Sequence, residues 1–252
     1  MILLVRAVAV AAAAMMLFTA VPARADDAAD AKRAEFERFM KDYLTQHPEA
    51  IQEALDLLEQ RKAAADAEKR RAFIKASHAQ LFSSSRQVTL GNRDGDVTLV
   101  EFFDYNCGYC KRALSDLMAM MKADPKLKVV LKELPILGPG SLEAARVAVA
   151  VRMQDPSGAK YLDFHRRLLE NRGANDKARA LAAAKDAGLD MARLERDMTS
   201  EEVGKSLDES MKLAKALGIN GTPGYVVGER VIVGAVGLAT LKDNVAAVRA
   251  RN

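Results

Sequence analysis

The sequence predicts an α/β domain behind a long helical N-terminal segment, and three observations carry that prediction. Residues 31–81 are rich in alanine and charge, contain no glycine, and are interrupted only at His47-Pro48. The apolar runs VTLVEFF (97–103) and KVVLKEL (128–134) read as strands, and between them Leu114, Leu117, Met118 and Met121 form the stripe of a helix over 111–122. A helix between two such strands makes them parallel neighbours. Near the C-terminus, Tyr225-Val226-Val227 and Val231-Ile232-Val233 flank Gly228-Glu229 as a hairpin, and residues 238–249 close the chain as a helix.

The first 25 residues carry Arg6, an unbroken apolar run over 7–20, and Ala23-Arg24-Ala25 as a small-x-small site. That is the pattern of a secretory signal peptide cleaved after Ala25, which predicts export. The run is shorter than the ~18 apolar residues a spanning helix needs, so a retained anchor is the weaker alternative. Cleavage removes Arg6 and Arg24 and no acid, taking the formal charge from +4 to +2. With no basic block, nucleic acid and acidic membrane surfaces are not expected partners. The chain is also long enough to fold without a disulfide staple.

Within the helical segment, Phe36, Phe39, Met40, Tyr43 and Leu44 form one apolar stripe, and Pro48 suits the first turn of a second helix. Steps of four and three from Ile51 meet Leu55 and Leu58, then Lys62, Ala65, Lys69, Ala72, Ala76 and Ala79. A coiled-coil seam wants bulky residues throughout. The pattern therefore predicts a firm contact within 36–58 followed by a mobile helical linker within 61–78. The alternative is a helix packed on its own domain.

Both cysteines of the chain, Cys107 and Cys110, lie in VEFFDYNCGYCKR (100–112), at the strand-to-helix junction. A thiol in the first turn of a helix meets free N–H groups and the positive end of the dipole, which favours its thiolate. Cys107 sits there, and Cys110 is within reach on the same face. A bridge enclosing two residues would restrict the unfolded chain little, so a structural staple explains the pair less well than disulfide exchange. Zinc fits poorly: the pair supplies two ligands, and His47, His78 and His165 show no matching spacing. Two thiolates could hold Cu(I). Met118, Met120 and Met121 also invite copper, but two of them continue the helix stripe and read as core filling. Glu101 interrupts an otherwise buried strand, where a carboxylate is costly unless paired or used. It could take or relay the Cys110 proton, or pair with a neighbouring-strand residue such as Lys132. Pro223, after Thr222, stands at the entrance to the hairpin, where a cis bond would present backbone groups to a ligand.

Together, the strand, the CxxC at a helix start, the second strand, Thr222-Pro223 before a hairpin and the closing helix resemble the thioredoxin fold. Residues 141–217, with about four helical patterns, resemble the helical insertion of the Dsb-type periplasmic oxidoreductases. The likeness covers 86–252. It implies that Cys107 attacks, Cys110 resolves, Pro223 is the cis-proline, Glu101 is the buried acid beneath the site, and Thr222, Gly108 and Tyr109 meet the substrate. FMKDYLTQHPEAIQEALDLLEQ (39–60) resembles the stalk of the ScsC (suppressor of copper sensitivity protein C) family, whose stalk-bearing members form trimers and isomerise disulfides. Gly108-Tyr109 and Thr222 likewise resemble the isomerase-like members. The expected organisation is a signal peptide over 1–25, an oligomerisation stalk and linker over 26–85, and a catalytic domain over 86–252. The resemblance implies a homotrimer through residues 36–58, misfolded or oxidised secreted clients, and a membrane thiol-disulfide reductase as electron donor, with no cofactor. A dithiol oxidase and a Cu(I)-binding copper-stress protein are the alternatives.

Overall fold

The computed structural model describes residues 23–251. The expected signal peptide lies outside the described residues except for 23–25, which open the first helix. The chain divides into two compact units, 1–64 and 65–252.

The N-terminal unit holds helix α1 (Ala23–Gln46) and the first part of α2 (Pro48–Ala76). The break falls at His47, and Pro48 takes the first position of α2, where a missing N–H costs nothing. Phe36 and Phe39 are each 62% exposed and Leu58 63%, with Tyr43, Ile51, Leu55 and Leu57 also exposed. The apolar stripe read from the sequence is therefore uncovered in a single chain.

The C-terminal unit is built on a five-stranded sheet in the order β1-β3-β2-β4-β5. Its strands are β1 (Val88–Gly91), β2 (Val97–Phe103), β3 (Leu127–Glu133), β4 (Gly224–Val227) and β5 (Arg230–Val233). β2 and β3 are parallel, in the register Glu101↔Leu131, and are joined by helix α4 (Gly108–Ala123) as the crossover. The other pairings are antiparallel. Alternation along the strands then sorts the core onto two faces. Leu99, Phe103, Leu131 and Tyr225 share a cluster with Cys107, Cys110, Leu114 and Leu117 of the α4 side. Val100, Phe102, Val130 and Val226 point the other way, into a second cluster. Leu99 and Val100, both wholly buried, each contribute about 1.5–3 kcal/mol. Leu241 and Val245 of the closing helix α10 (Gly237–Arg249) join the first cluster. Met120 is buried, and Met118 and Met121 pack against the same core, as expected of core-filling side chains.

Between β3 and β4 the insertion supplies α5 (Pro139–Gln154), α6 (Ala159–Glu170), α7 (Lys177–Asp186), α8 (Met191–Asp197) and α9 (Glu201–Leu217). Residues 147–151 of α5 are all buried, so this stretch of the helix is covered on every side, while Leu142, Glu143 and Arg146 of its first half are exposed. α9 stops at Gly218, whose φ of +72° suits glycine.

Two expectations change. The division falls at 64/65, inside α2, and not at 85/86. Ile74, with Leu81 and Phe82 of the short helix α3 (His78–Phe82), is buried against Val100, Phe102, Val130, Leu213 and Leu217. Residues 65–85 thus group with the C-terminal unit, and the linker reading of 61–78 does not hold from Phe73 on, where Phe73 and Ile74, with Leu81 and Phe82 just downstream, hold the segment on the sheet. Strand β1 was also not foreseen.

Candidate active site

β2 ends at Phe103, and the next residues turn tightly: the Cys107 N–H donates to Asp104 O at 3.1 Å. Cys107 thereby becomes the N-cap of α4, with extended backbone (φ −75°, ψ 115°). Both cysteines are free thiols; Cys107 keeps 5% exposure and Cys110 none. The Cys107 thiol is pulled down to about 5, first by a hydrogen bond from the Cys110 thiol, then, against the cost of burial, by the Thr222 side chain and the amides of Cys110 and Tyr109. In the protonated form Cys107 Sγ lies 3.1 Å from Thr222 O, to which it donates. A carbonyl accepts only from the thiol, so that contact belongs to the neutral state, and the low pKa rests on the donors. Cys110 moves the opposite way, raised by its hydrogen bond to Cys107, by burial and by the charge of Glu101.

Glu101 is 4% exposed and on the same face of the sheet as the cysteines. Burial pushes its carboxyl up to about 8, against a hydrogen bond from Tyr225. The alternative pairing with Lys132 does not occur. Lys132 pairs across the register with Phe102, on the opposite face, where its Nζ donates to Gln80 O at 2.8 Å and lies 3.8 Å from Glu209. The Thr222-Pro223 bond is cis. Gly108 is exposed with nothing near its missing Cβ, and Tyr109 is 59% exposed, with the Arg112 guanidinium 4.3 Å from its ring centre.

The sequence reading missed the polar groups that hold this loop. Asp104 accepts from the N–H of Asn106 (2.7 Å) and Ser141 Oγ (2.7 Å) on one oxygen, and from the N–H of Ile136 (2.8 Å) and Leu137 (3.0 Å) on the other. Behind it runs a buried chain: Tyr161 donates to Glu133 at 2.7 Å, Tyr105 lies 3.2 Å from the Tyr161 hydroxyl, and His165 Nδ1 is 3.3 Å from Tyr105. Burial holds His165 neutral, down to about 3. Asp104 and Tyr105 stand just ahead of the CxxC, which is the only local signal that could have marked them. Among the described residues, no group of three or more His, Cys, Asp or Glu side chains gathers as a metal site.

Residues 98–246 match the DSBA-like thioredoxin domain, more than half of the chain. The chain belongs to this family. Its DSBA-like domain is therefore that of a thiol-disulfide oxidoreductase, and residues 33–65 match a second model, the copper resistance protein ScsC N-terminal domain. The DSBA-like chain is similar to a thioredoxin-like oxidoreductase from Silicibacter pomeroyi DSS-3, at 43% identity over 68% of this chain and 97% of that one, with a TM-score of 0.65. It is similar over 93% of its length to all of a linker-deleted, point-substituted Proteus mirabilis ScsC, at 27% identity and a TM-score of 0.69. Among curated relatives it is 25% identical to disulfide bond formation protein D of Bacillus subtilis, over 63% of this chain and 75% of the relative. It also matches, at 30% identity over 60% of its own length, 24% of the Na(+)/H(+) antiporter NhaA of Herminiimonas arsenicoxydans, so it spans about a quarter of that protein.

Proposed function

We propose that the chain is an exported, periplasmic protein disulfide isomerase acting through Cys107 and Cys110. The observation that carries the exchange chemistry is the placement of two free thiols at the start of α4, with Cys107 at the N-cap keeping some exposure and Cys110 wholly buried behind it; the surroundings lower the Cys107 thiol and raise Cys110. The Cys107 thiolate attacks one sulfur of a wrong client disulfide, forming the Cys107–client bond and expelling the other client sulfur as a thiolate. A client thiolate then attacks the mixed disulfide, forming the correct client bond and returning Cys107 as thiolate, with no net oxidation. Where no client thiol arrives, Cys110 gives up its proton and attacks Cys107 Sγ. That releases a reduced client and leaves a Cys107–Cys110 disulfide, which a membrane thiol-disulfide reductase would reduce.

Glu101, with a pKa near neutrality on the Cys110 side, is the proposed proton acceptor in that escape. Thr222, whose carbonyl borders Cys107 Sγ, and Pro223 form the proposed backbone ledge for an extended client, and the exposed Gly108 and Tyr109 next to Cys107 are proposed to meet it as well. Isomerisation over simple oxidation is supported by the uncovered apolar stripe of the N-terminal unit and its match to an ScsC N-terminal domain. Such a stripe suits a homotrimer, which keeps several thiols around one client. The signal-like residues 1–25 support export. Among the described residues no helix is long and apolar enough to cross a membrane. Refolding of a scrambled disulfide protein, run beside oxidation of a reduced one, tests the reading. The isomerase recovers activity in the first assay; recovery in the second alone would make it a dithiol oxidase.

A further inference from the structure

A loop of the helical insertion grips the redox pair on both sides. Residues 171–175 lie in the link between α6 and α7, more than sixty positions along the chain from the cysteines. Ahead of the pair, Asn106 donates through Nδ2 to Asn175 O at 2.9 Å and accepts at Oδ1 from the Asn175 N–H at 2.7 Å. Asn175 has no exposure, and its Nδ2 donates to Tyr105 O (2.8 Å) and Leu168 O (3.0 Å), while its Oδ1 accepts from Asn171 (3.0 Å). Beyond the pair, Lys111 Nζ donates to Asn171 O at 2.7 Å and Gly173 O at 2.8 Å. Asn106 and Lys111 are the residues immediately before Cys107 and after Cys110.

A wholly buried amide is costly unless its hydrogen bonds are made; Asn175 makes two of its three within the insertion and spends the third on Tyr105 O, in the turn that delivers Cys107. Tyr105 and Asn106 are the central residues of that turn, which the Cys107 N–H closes onto Asp104 O. The amides of Tyr109 and Cys110 act on Cys107 from the first turn of α4, directly after this closed turn.

We propose that loop 171–175 is a strap on the redox pair, and that Asn175 is a positioning residue that keeps Cys107 Sγ over the first amides of α4. This rests on the reading of Cys107 as the attacking sulfur. Releasing the strap opens the turn, separates the sulfur from its donors, and leaves a thiol closer to an ordinary one. The insertion is then part of what sets the reactivity of a pair it does not contain.

The test follows the thiolate absorbance of the reduced full-length protein near ~240 nm against pH, with thermal melting alongside, in Asn175→Ala and Asn106→Ala. Both changes are neutral, so a shift cannot come from lost charge. The expected result is a Cys107 midpoint raised by about one unit, a roughly tenfold smaller thiolate fraction below the midpoint. Asn106 is half-buried and decides the matter if Asn175→Ala does not fold. Midpoints that stay near the parent's while the melting temperature falls would show a merely structural role and overturn the strap. Cys107→Ser is the control for the underlying reading: if the low-pH step survives in it, Cys107 is not the acidic thiol, whatever the strap does.

Discussion

At the scale of single residues, the two sulfurs divide the work because of what surrounds them. Alkylation of the reduced protein should label Cys107 first, with a half-maximal rate near the pH of about 5 set by its donors, and leave Cys110 unlabelled until the fold opens. Cys107→Ser should abolish mixed disulfides with clients, and Cys110→Ser should accumulate them; peptide mapping after non-reducing electrophoresis reads both. Glu101 gives a stability signature of its own. Its carboxyl titrates near 4.5 when unfolded and near 8 when folded, so between these values the folded chain holds more protons. Stability from this group is full below about pH 4.5 and is lost as pH rises through 8. Glu101→Gln, which keeps the shape and stays neutral, should therefore match the parent near pH 4 and melt at a higher temperature at pH 8 to 9. Parallel melting curves at both pH values would remove Glu101 from the buried-acid role.

At the scale of elements, the sequence showed most where one segment decided its own state. β2 falls on the run read as a strand, 97–103, because seven apolar-rich residues between turn signals leave little choice, and β3 differs by one residue at each end. β1 escaped notice because four residues ending in glycine carry too little pattern, and it forms only by pairing with β3, forty residues on. The same reason hid Asn175 and Asp104, whose partners are set by tertiary approach and not by spacing. The 64/65 division was illegible because Ile74, Leu81 and Phe82 look no more buried in sequence than Ile51 or Leu55, and their partners come from strands and from α9. A fragment beginning at 65 should therefore melt well above one beginning at 86. Ile74→Ala in the whole chain should cost about 2–5 kcal/mol in denaturant unfolding of the C-terminal unit. Equal stability of the two fragments would return the boundary to 85.

At the scale of the whole molecule, the N-terminal unit leaves Phe36, Phe39, Tyr43, Ile51, Leu55 and Leu58 facing water, more large apolar surface than a helix pair keeps without a partner. Light scattering of the mature protein should report a homo-oligomer, a trimer on the ScsC-like reading. Removing residues 26–64 should give a folded, redox-active monomer, since the C-terminal unit has its own sheet and core. That monomer should lose scrambled-protein refolding and keep simple dithiol oxidation. A mature protein that scatters as a monomer, or a shortened one that isomerises as well as the parent, would sink the proposal.

The burial of Cys110 also has a kinetic meaning. Once a client is bonded to Cys107, the hydrogen bond that most raises Cys110 is gone, but its burial and the Glu101 charge remain. The second thiol is then a slow clock started by each capture: the client has as long to find a better pairing as Cys110 takes to lose its proton. Slowing that clock, as Glu101→Gln should by removing the acceptor of the Cys110 proton, would lengthen each trial and shift the products from reduced clients toward rearranged ones.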